Sequence, residues 1–284
     1  MERAETVKEF NFTKGDFERV RALIYQRAGI SLADSKQEMV YSRLARRLRA
    51  TGIVSFGQYL NDLETGRLGD EWESFTNALT TNLTSFFREA HHFPLLADQL
   101  KATRERPITI WCSASSTGEE PYSIAMTACE AFNTLSPPVQ IVATDIDTNV
   151  LAVGEKGVYG MDRLAKMEPE RARRFFLRGR GDQEGMARVR PELRNLVTFR
   201  QLNLLADKWP LTGQFDVIFC RNVMIYFDKA TQKQILARFV PLMKPNALLF
   251  AGHSENFLYV SDSLKLRGKT VYEVDPRRAS RDMQ

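Results

Sequence analysis

Polar residues stand wherever the apolar runs of the second half of this chain stop. The run Phe215-Asp-Val-Ile-Phe-Cys220 breaks into Arg221-Asn222, with Tyr226 a few residues on. Val139-Gln-Ile-Val-Ala-Thr144 ends in Asp145 and Asp147, and Val197-Thr-Phe-Arg-Gln-Leu202 ends in Asn203-Leu204. Ile108-Thr-Ile-Trp-Cys112 passes into the small-residue loop Ser113-Ala-Ser-Ser-Thr-Gly118, followed by Glu119-Glu120. A carboxylate such as Asp145 accepts hydrogen bonds from ribose hydroxyls, and the Asn203 amide suits an adenine edge. Small residues let a ligand approach the backbone, where Glu119 or Glu120 can hydrogen-bond to it. The loop lacks the Gly-x-Gly-x-x-Gly spacing of a dinucleotide site, and a carboxylate there repels phosphates. Adenine and ribose without phosphate point to S-adenosylmethionine.

These runs must be strands for their ends to converge. Phe215 to Cys220 is apolar almost without break, as in a strand buried on both faces of a parallel sheet. Strands are expected at 108–112, 139–144, 197–202, 215–220 and 247–252. Helices are expected after residue 119 or 120, over 149–156 and over 229–242. This alternation gives an α/β, doubly wound, mostly parallel sheet. Leu264-Lys-Leu and Thr270-Val-Tyr-Glu-Val274 are close enough to form an antiparallel pair. Residues 163–195 interrupt the alternation, and we read them as an insertion with a helix over 168–177 and short strands around a Gly-rich turn. The tail from Arg277 onward reads as polar and frayed.

The first eighty residues read as all helical. Thr13 and Asp16 have capping-box spacing before Phe17, Val20, Leu23 and Ile24, and Gly29 can close that helix. Ser35 or Asp34 can cap a second helix carrying Val40, Leu44 and Leu48 and ending at Gly52. Third and fourth helices follow at Phe56 to Leu63 and Trp72 to Leu79. The domains are therefore 1–80, helical, and 81–284, ligand-binding and including the insertion.

The 284 residues, 43% hydrophobic and 26% charged, suffice for a large core, and the net charge of +5 allows an anionic partner. No apolar run reaches the ~18 residues of a membrane span, and the charged N-terminus lacks a signal-peptide core. Cys112, Cys129 and Cys220 are scattered among apolar residues, as reduced cytosolic thiols are. No metal site is expected: adjacent His91 and His92 diverge on a helix, and His253 is distant in sequence.

Five segments carry a resemblance. Thr80-Thr-Asn-Leu-Thr-Ser-Phe-Phe-Arg-Glu89, Ser116-Thr-Gly-Glu-Glu-Pro-Tyr-Ser123, Ala143-Thr-Asp-Ile-Asp147, Phe219-Cys-Arg-Asn-Val-Met-Ile-Tyr-Phe-Asp228 and Gly252-His-Ser-Glu-Asn256 look like the CheR-type chemotaxis receptor methyltransferases. The likeness runs from about Phe12 to Val274. It implies a cytoplasmic, monomeric protein-glutamate O-methyltransferase that converts S-adenosylmethionine to S-adenosylhomocysteine on helical cytoplasmic domains of chemoreceptors. Matched by motif, Asn82, Thr84, Arg88, Glu119, Asp145, Asn203, Leu204, Arg221 and Asn222 are the cofactor contacts. Arg88 and Tyr226 fall near the transferred methyl. Ser85, Ser113 and Ser115 depart from the expected alanines.

The resemblance also gives the second helix a role. Arg43, Arg46, Arg47 and Arg49, beside Lys36, would meet glutamate-rich receptor helices. The insertion resembles the family's small antiparallel β-subdomain, which in some members docks the receptor's C-terminal tail by strand addition. Two other readings compete. A nucleic-acid methyltransferase acting on exocyclic amines would carry a Pro-Pro pair after Asn222, where this chain has Val223-Met224. A non-enzymatic sensor of the cofactor would have no need of Arg88 and Tyr226.

Overall fold

Period-two burial of the central strands dictates the larger part of the structure. A computed structural model describes residues 8–275 of the chain. It divides into two compact units, 1–81 and 82–284. In the second unit, β1 (Ile108–Cys112) sends Ile108, Ile110 and Cys112 into one apolar layer and Trp111 into the other. All six residues of β7 (Phe215–Cys220) are buried, and Val217 and Phe219 likewise part company with Ile218 and Cys220. A strand buried on both faces must lie inside a sheet with helices on both sides.

That sheet has seven strands in the order β6-β2-β1-β7-β8-β10-β9. The others are β2 (Val139–Asp145), β6 (Val197–Gln201), β8 (Met243–Ala251), β9 (Leu264–Gly268) and β10 (Val271–Val274). β6, β2, β1, β7 and β8 pair in parallel, and β10 pairs antiparallel with β8 and β9. β1 leads to β2 on one side, and β7 later joins its other side, so the order reverses at β1. The carboxyl ends of β1, β2 and β7 therefore border a crevice. Helices α5 (His92–Ala102) and α6 (Glu119–Ala131) pack on one layer and α10 (Lys229–Phe239) on the other. α7 (Thr148–Lys156) follows β2, capped by Asp147, whose carboxylate accepts from the Asn149 and Val150 N–H groups.

Several elements differ from expectation. α5 is absent from the sequence reading; its Pro94 sits in the first turn, where no intrahelical N–H is needed. β8 starts at Met243 rather than 247, with Asn246 left-handed and the pairing with β7 shifted between Phe215 and Val217. The insertion opens at β3 (Val158–Gly160), before residue 163. Its helix α8 (Pro169–Phe175) stops two residues short, because Phe176 and Leu177 belong to β4 (Phe176–Arg178). With β5 (Met186–Val189), these strands form an antiparallel sheet in the order β3-β5-β4, and a short helix α9 (Pro191–Arg194) leads back to β6. The tail from Arg277 lies outside the described residues.

The first unit is built from α1 (Lys14–Ala28), α2 (Gln37–Thr51), α3 (Phe56–Glu64) and α4 (Glu71–Leu79). The Thr13–Asp16 capping box is complete, and left-handed Gly29 and Gly52 close α1 and α2. Neither Asp34 nor Ser35 caps α2; a 3-10 turn, Asp34–Lys36, leads into it. The arginines of α2 have separate fates. Arg47 grips the buried Glu71 carboxylate with two bonds of 2.8 Å, and the Tyr59 hydroxyl donates to the same group at 2.8 Å. The Glu71 carboxylate beside it raises the Arg47 pKa. Arg43 donates to the Thr80 carbonyl at 2.5 Å and Arg49 pairs with Glu9. Arg46 is exposed and pairs with no described residue. Arg47→Ala strands a buried carboxylate and is expected to destabilise the protein by about 2 kcal/mol, while Arg46→Ala stays within ~0.5 kcal/mol. Chemical denaturation of both variants checks the contrast.

Candidate functional site

The loop after β1 is shaped by a glycine. Gly118, at the N-terminus of α6, has φ +97°, and a Cβ there would lie 2.8 Å from the Tyr159 hydroxyl and 2.9 Å from Gly154 Cα. Only glycine satisfies both demands. Across the loop, the Ser116 N–H donates to Asp145 Oδ2 at 2.8 Å, and the Asp147 N–H donates to Oδ1 at 3.1 Å. Burial raises Asp145 to about 6, and the two N–H groups oppose the shift. Each Asp145 oxygen retains acceptor capacity. The Ser115 hydroxyl is buried with no hydrogen-bond partner among the described residues.

A single segment, 82–89, crosses these strand ends. Asn82 donates to Asp147 at 2.8 Å and its carbonyl accepts from the Ser116 hydroxyl at 3.0 Å. The Phe87 N–H donates to the Ser123 hydroxyl at 2.9 Å, and the Arg88 carbonyl accepts from Arg221 at 2.5 Å. Phe87 and Glu89, on either side of Arg88, have φ of +52° and +54°. Left-handed backbone costs a bulky residue about 1–2 kcal/mol, so these bonds hold Arg88 in a conformation it would otherwise leave. The Arg88 guanidinium is half-buried and donates to the Leu83 carbonyl at 2.9 Å.

At the end of β7, Arg221 is buried and lies 2.9 Å from Glu120 and 3.4 Å from Glu89. Asn222 is left-handed, with φ +59°, and its amide donates to Glu89 at 3.2 Å. Glu255 stands beneath the turn. Its carboxylate accepts from the N–H groups of Asn222, Val223, Met224 and Gly252 at 2.5–3.0 Å. Burial pushes the Glu255 pKa up, and those four donors resist. Tyr226, two residues beyond Met224, is half-buried, and its hydroxyl has no hydrogen bond among the described residues.

The remaining sequence-named residues are placed as follows. Glu119 is wholly buried, accepts from the Thr117 hydroxyl at 2.6 Å and pairs with Arg163 of the insertion. Arg163 also reaches the Thr84 carbonyl at 3.4 Å. Asn203 Oδ1 accepts from the Leu205 N–H at 2.9 Å, which fixes the amide's orientation. The Leu204 side chain belongs to the core, so only its backbone is available to a ligand. Arg221 likewise turns to protein groups. Sequence reasoning missed Glu89, Asp147, Arg163 and Glu255 as organisers of the site; all but Arg163 lie within the five quoted segments. His91 is exposed and His92 buried, with ring centroids 4.2 Å apart, and His253 Nδ1 comes within 3.9 Å of Glu89.

S-adenosylmethionine requires acceptors for a ribose diol, a close-approach loop and acidic surroundings for a sulfonium. The Asp145 carboxylate and the 113–118 loop fit the first two of those needs. Residues 82–272 match the family model described as CheR methyltransferase, SAM binding domain, and residues 15–80 match CheR methyltransferase, all-alpha domain. The chemotaxis protein methyltransferase of Escherichia coli K12 is 56% identical over 91% of this chain and 90% of its own length. Chemotaxis protein methyltransferase 2 of Pseudomonas aeruginosa is 55% identical over 93% and 95%. The chemotaxis protein methyltransferase of Borreliella burgdorferi is 35% identical over 86% and 89%. No helix among the described residues is long and apolar enough to cross a membrane. The chain thus belongs to the CheR methyltransferase family, with an S-adenosylmethionine-binding methyltransferase domain following an all-helical one.

Proposed function

We propose that this chain methylates glutamate side chains on the helical cytoplasmic domains of chemoreceptors, forming glutamyl methyl esters in sensory adaptation. The observation that supports this reading is the bracing of segment 82–89 across the ends of β1, β2 and β7, with the Arg88 carbonyl held by Arg221. When bound, S-adenosylmethionine supplies an electrophilic methyl group. Asp145 holds the ribose, Asn203 and the Leu204 backbone the adenine, and Asn82, Thr84 and Asn222 the remainder. A glutamate acceptor is already ionised at neutral pH, so no side chain has to remove a proton. What the protein contributes is alignment, which can lower a barrier by roughly 7–11 kcal/mol. Arg88 orients the acceptor carboxylate and Tyr226 donates a hydrogen bond beside it. Excessive pairing with Arg88 would stabilise the ground state, and its bond to Leu83 limits that.

On the first unit, Arg46 is the cation left to meet an acidic receptor helix, since Arg43, Arg47 and Arg49 are engaged within the unit. In the insertion, β4 is an edge strand beside the Gly179–Gly181 turn, open to strand addition by a receptor tail.

Labelled S-adenosylmethionine and purified receptor signalling domains should give base-labile methyl groups that map to glutamates; alkali-stable label refutes the ester. With the same substrate, Arg46→Ala should raise KM and flatten its salt dependence, at unchanged kcat. Tyr226→Phe should lower kcat by roughly tenfold, the effect of a hydrogen bond of about 1.4 kcal/mol, with little change in cofactor affinity by calorimetry. For Asp145 the folded-state pKa is raised to about 6. The resulting contribution to the free protein's stability is full below about pH 3.8 and is lost as the pH rises to about 6. Ribose hydroxyls favour the ionised form, so S-adenosylmethionine affinity should be flat above about pH 7 and fall below pH 6, approaching about tenfold per unit. A flat calorimetric profile through that range would remove Asp145 from ribose binding.

A further inference from the structure

All three histidines of the chain gather at one carboxylate. Glu89, His91 and His92 offer ligand atoms within 4.8 Å of one another, and His253 Nδ1 is 3.9 Å from Glu89 Oε1. His92 is fully buried, and its Nε2 lies 2.9 Å from the Lys269 carbonyl. A carbonyl can only accept, so Nε2 carries the hydrogen and Nδ1 presents a lone pair. That Nδ1 is 3.8 Å from Glu89 Oε2, and neither atom has a hydrogen-bond partner among the described residues. The gap exceeds hydrogen-bond length. The His92 Nδ1 lone pair thus faces, in a buried pocket, a carboxylate oxygen that also lies 3.4 Å from the Arg221 guanidinium.

We propose that Glu89, His91 and His92 form a binding site for a divalent transition metal of the Zn2+ class. His92 Nδ1 and Glu89 Oε2 are the inner ligands, exposed His91 is the third, and water takes the fourth position. Zinc bonds of about 2.0–2.2 Å place tetrahedral neighbours roughly 3.3–3.6 Å apart, so the 3.8 Å pair needs to close by only a few tenths of an ångström. The Lys269 carbonyl on Nε2 is the outer-shell partner that orients a ligating imidazole. Two imidazoles with one carboxylate select zinc or its neighbours over magnesium or calcium. Charge also favours the assignment. Arg221 faces both Glu89 and Glu120, so one guanidinium serves two carboxylates. Its closeness to Glu89 opposes a second cation and limits affinity without abolishing it.

The test uses the full chain without a histidine tag, stripped of metal by a chelator. Calorimetry with Zn2+ should show one equivalent bound, and Co2+ should give the visible absorption of a tetrahedral site. His91→Ala, an exposed change that leaves the fold intact, should weaken Zn2+ binding by at least about tenfold and abolish the Co2+ bands. Neither heat nor Co2+ bands on the wild-type chain overturns the site, and so does a His91→Ala variant that binds both metals as the wild type does.

Discussion

A buried guanidinium organises this catalytic unit. Arg221 leaves the most buried strand of the sheet and cannot reach water, so it must be met by carboxylates and carbonyls. Glu120 answers from the first turn of α6, and Glu89 and the Arg88 carbonyl answer from the segment laid over the strand ends. Removing Arg221 would leave two carboxylates stranded in a low-dielectric interior. The electrostatic requirement of one strand end thereby fixes two other pieces of chain, the first turn of α6 and the segment 82–89.

The chemistry suits such a rigid frame. In the proposed reaction a cationic donor meets an anionic acceptor and charge diminishes as transfer proceeds, so a site of pre-set dipoles has little to rearrange. The strained turns at Phe87, Glu89 and Asn222 are consistent with this. Each is unfavourable alone and persists because hydrogen bonds on the residue or its neighbour over-determine it.

How much of this can be read from sequence depends on how local the cause is. β1 and β7 are legible to the residue, because a doubly buried strand has no other pattern, and the caps of α1 are legible from Thr13, Asp16 and Gly29. The strand-end polar residues are legible because topology alone brings them together. Pairings across long sequence separation are not. Arg47 looks like a surface cation until Glu71, on another helix, is found buried beside it. Glu255 looks like a loop residue until four N–H groups from two strand ends converge on it. Arg163 reads as part of a basic excursion, and its partner Glu119 lies across the unit.

The two contacts from the insertion to the loop after β1 have a mechanical consequence. Tyr159, on β3, donates to the Thr117 carbonyl, and Arg163, just beyond it, grips Glu119. The small sheet and the ligand loop are therefore not independent bodies. A displacement of one is felt at Thr117 and Glu119 in the other through these two contacts. Thermodynamic reciprocity makes any coupling between the loop and the small sheet equal in both directions.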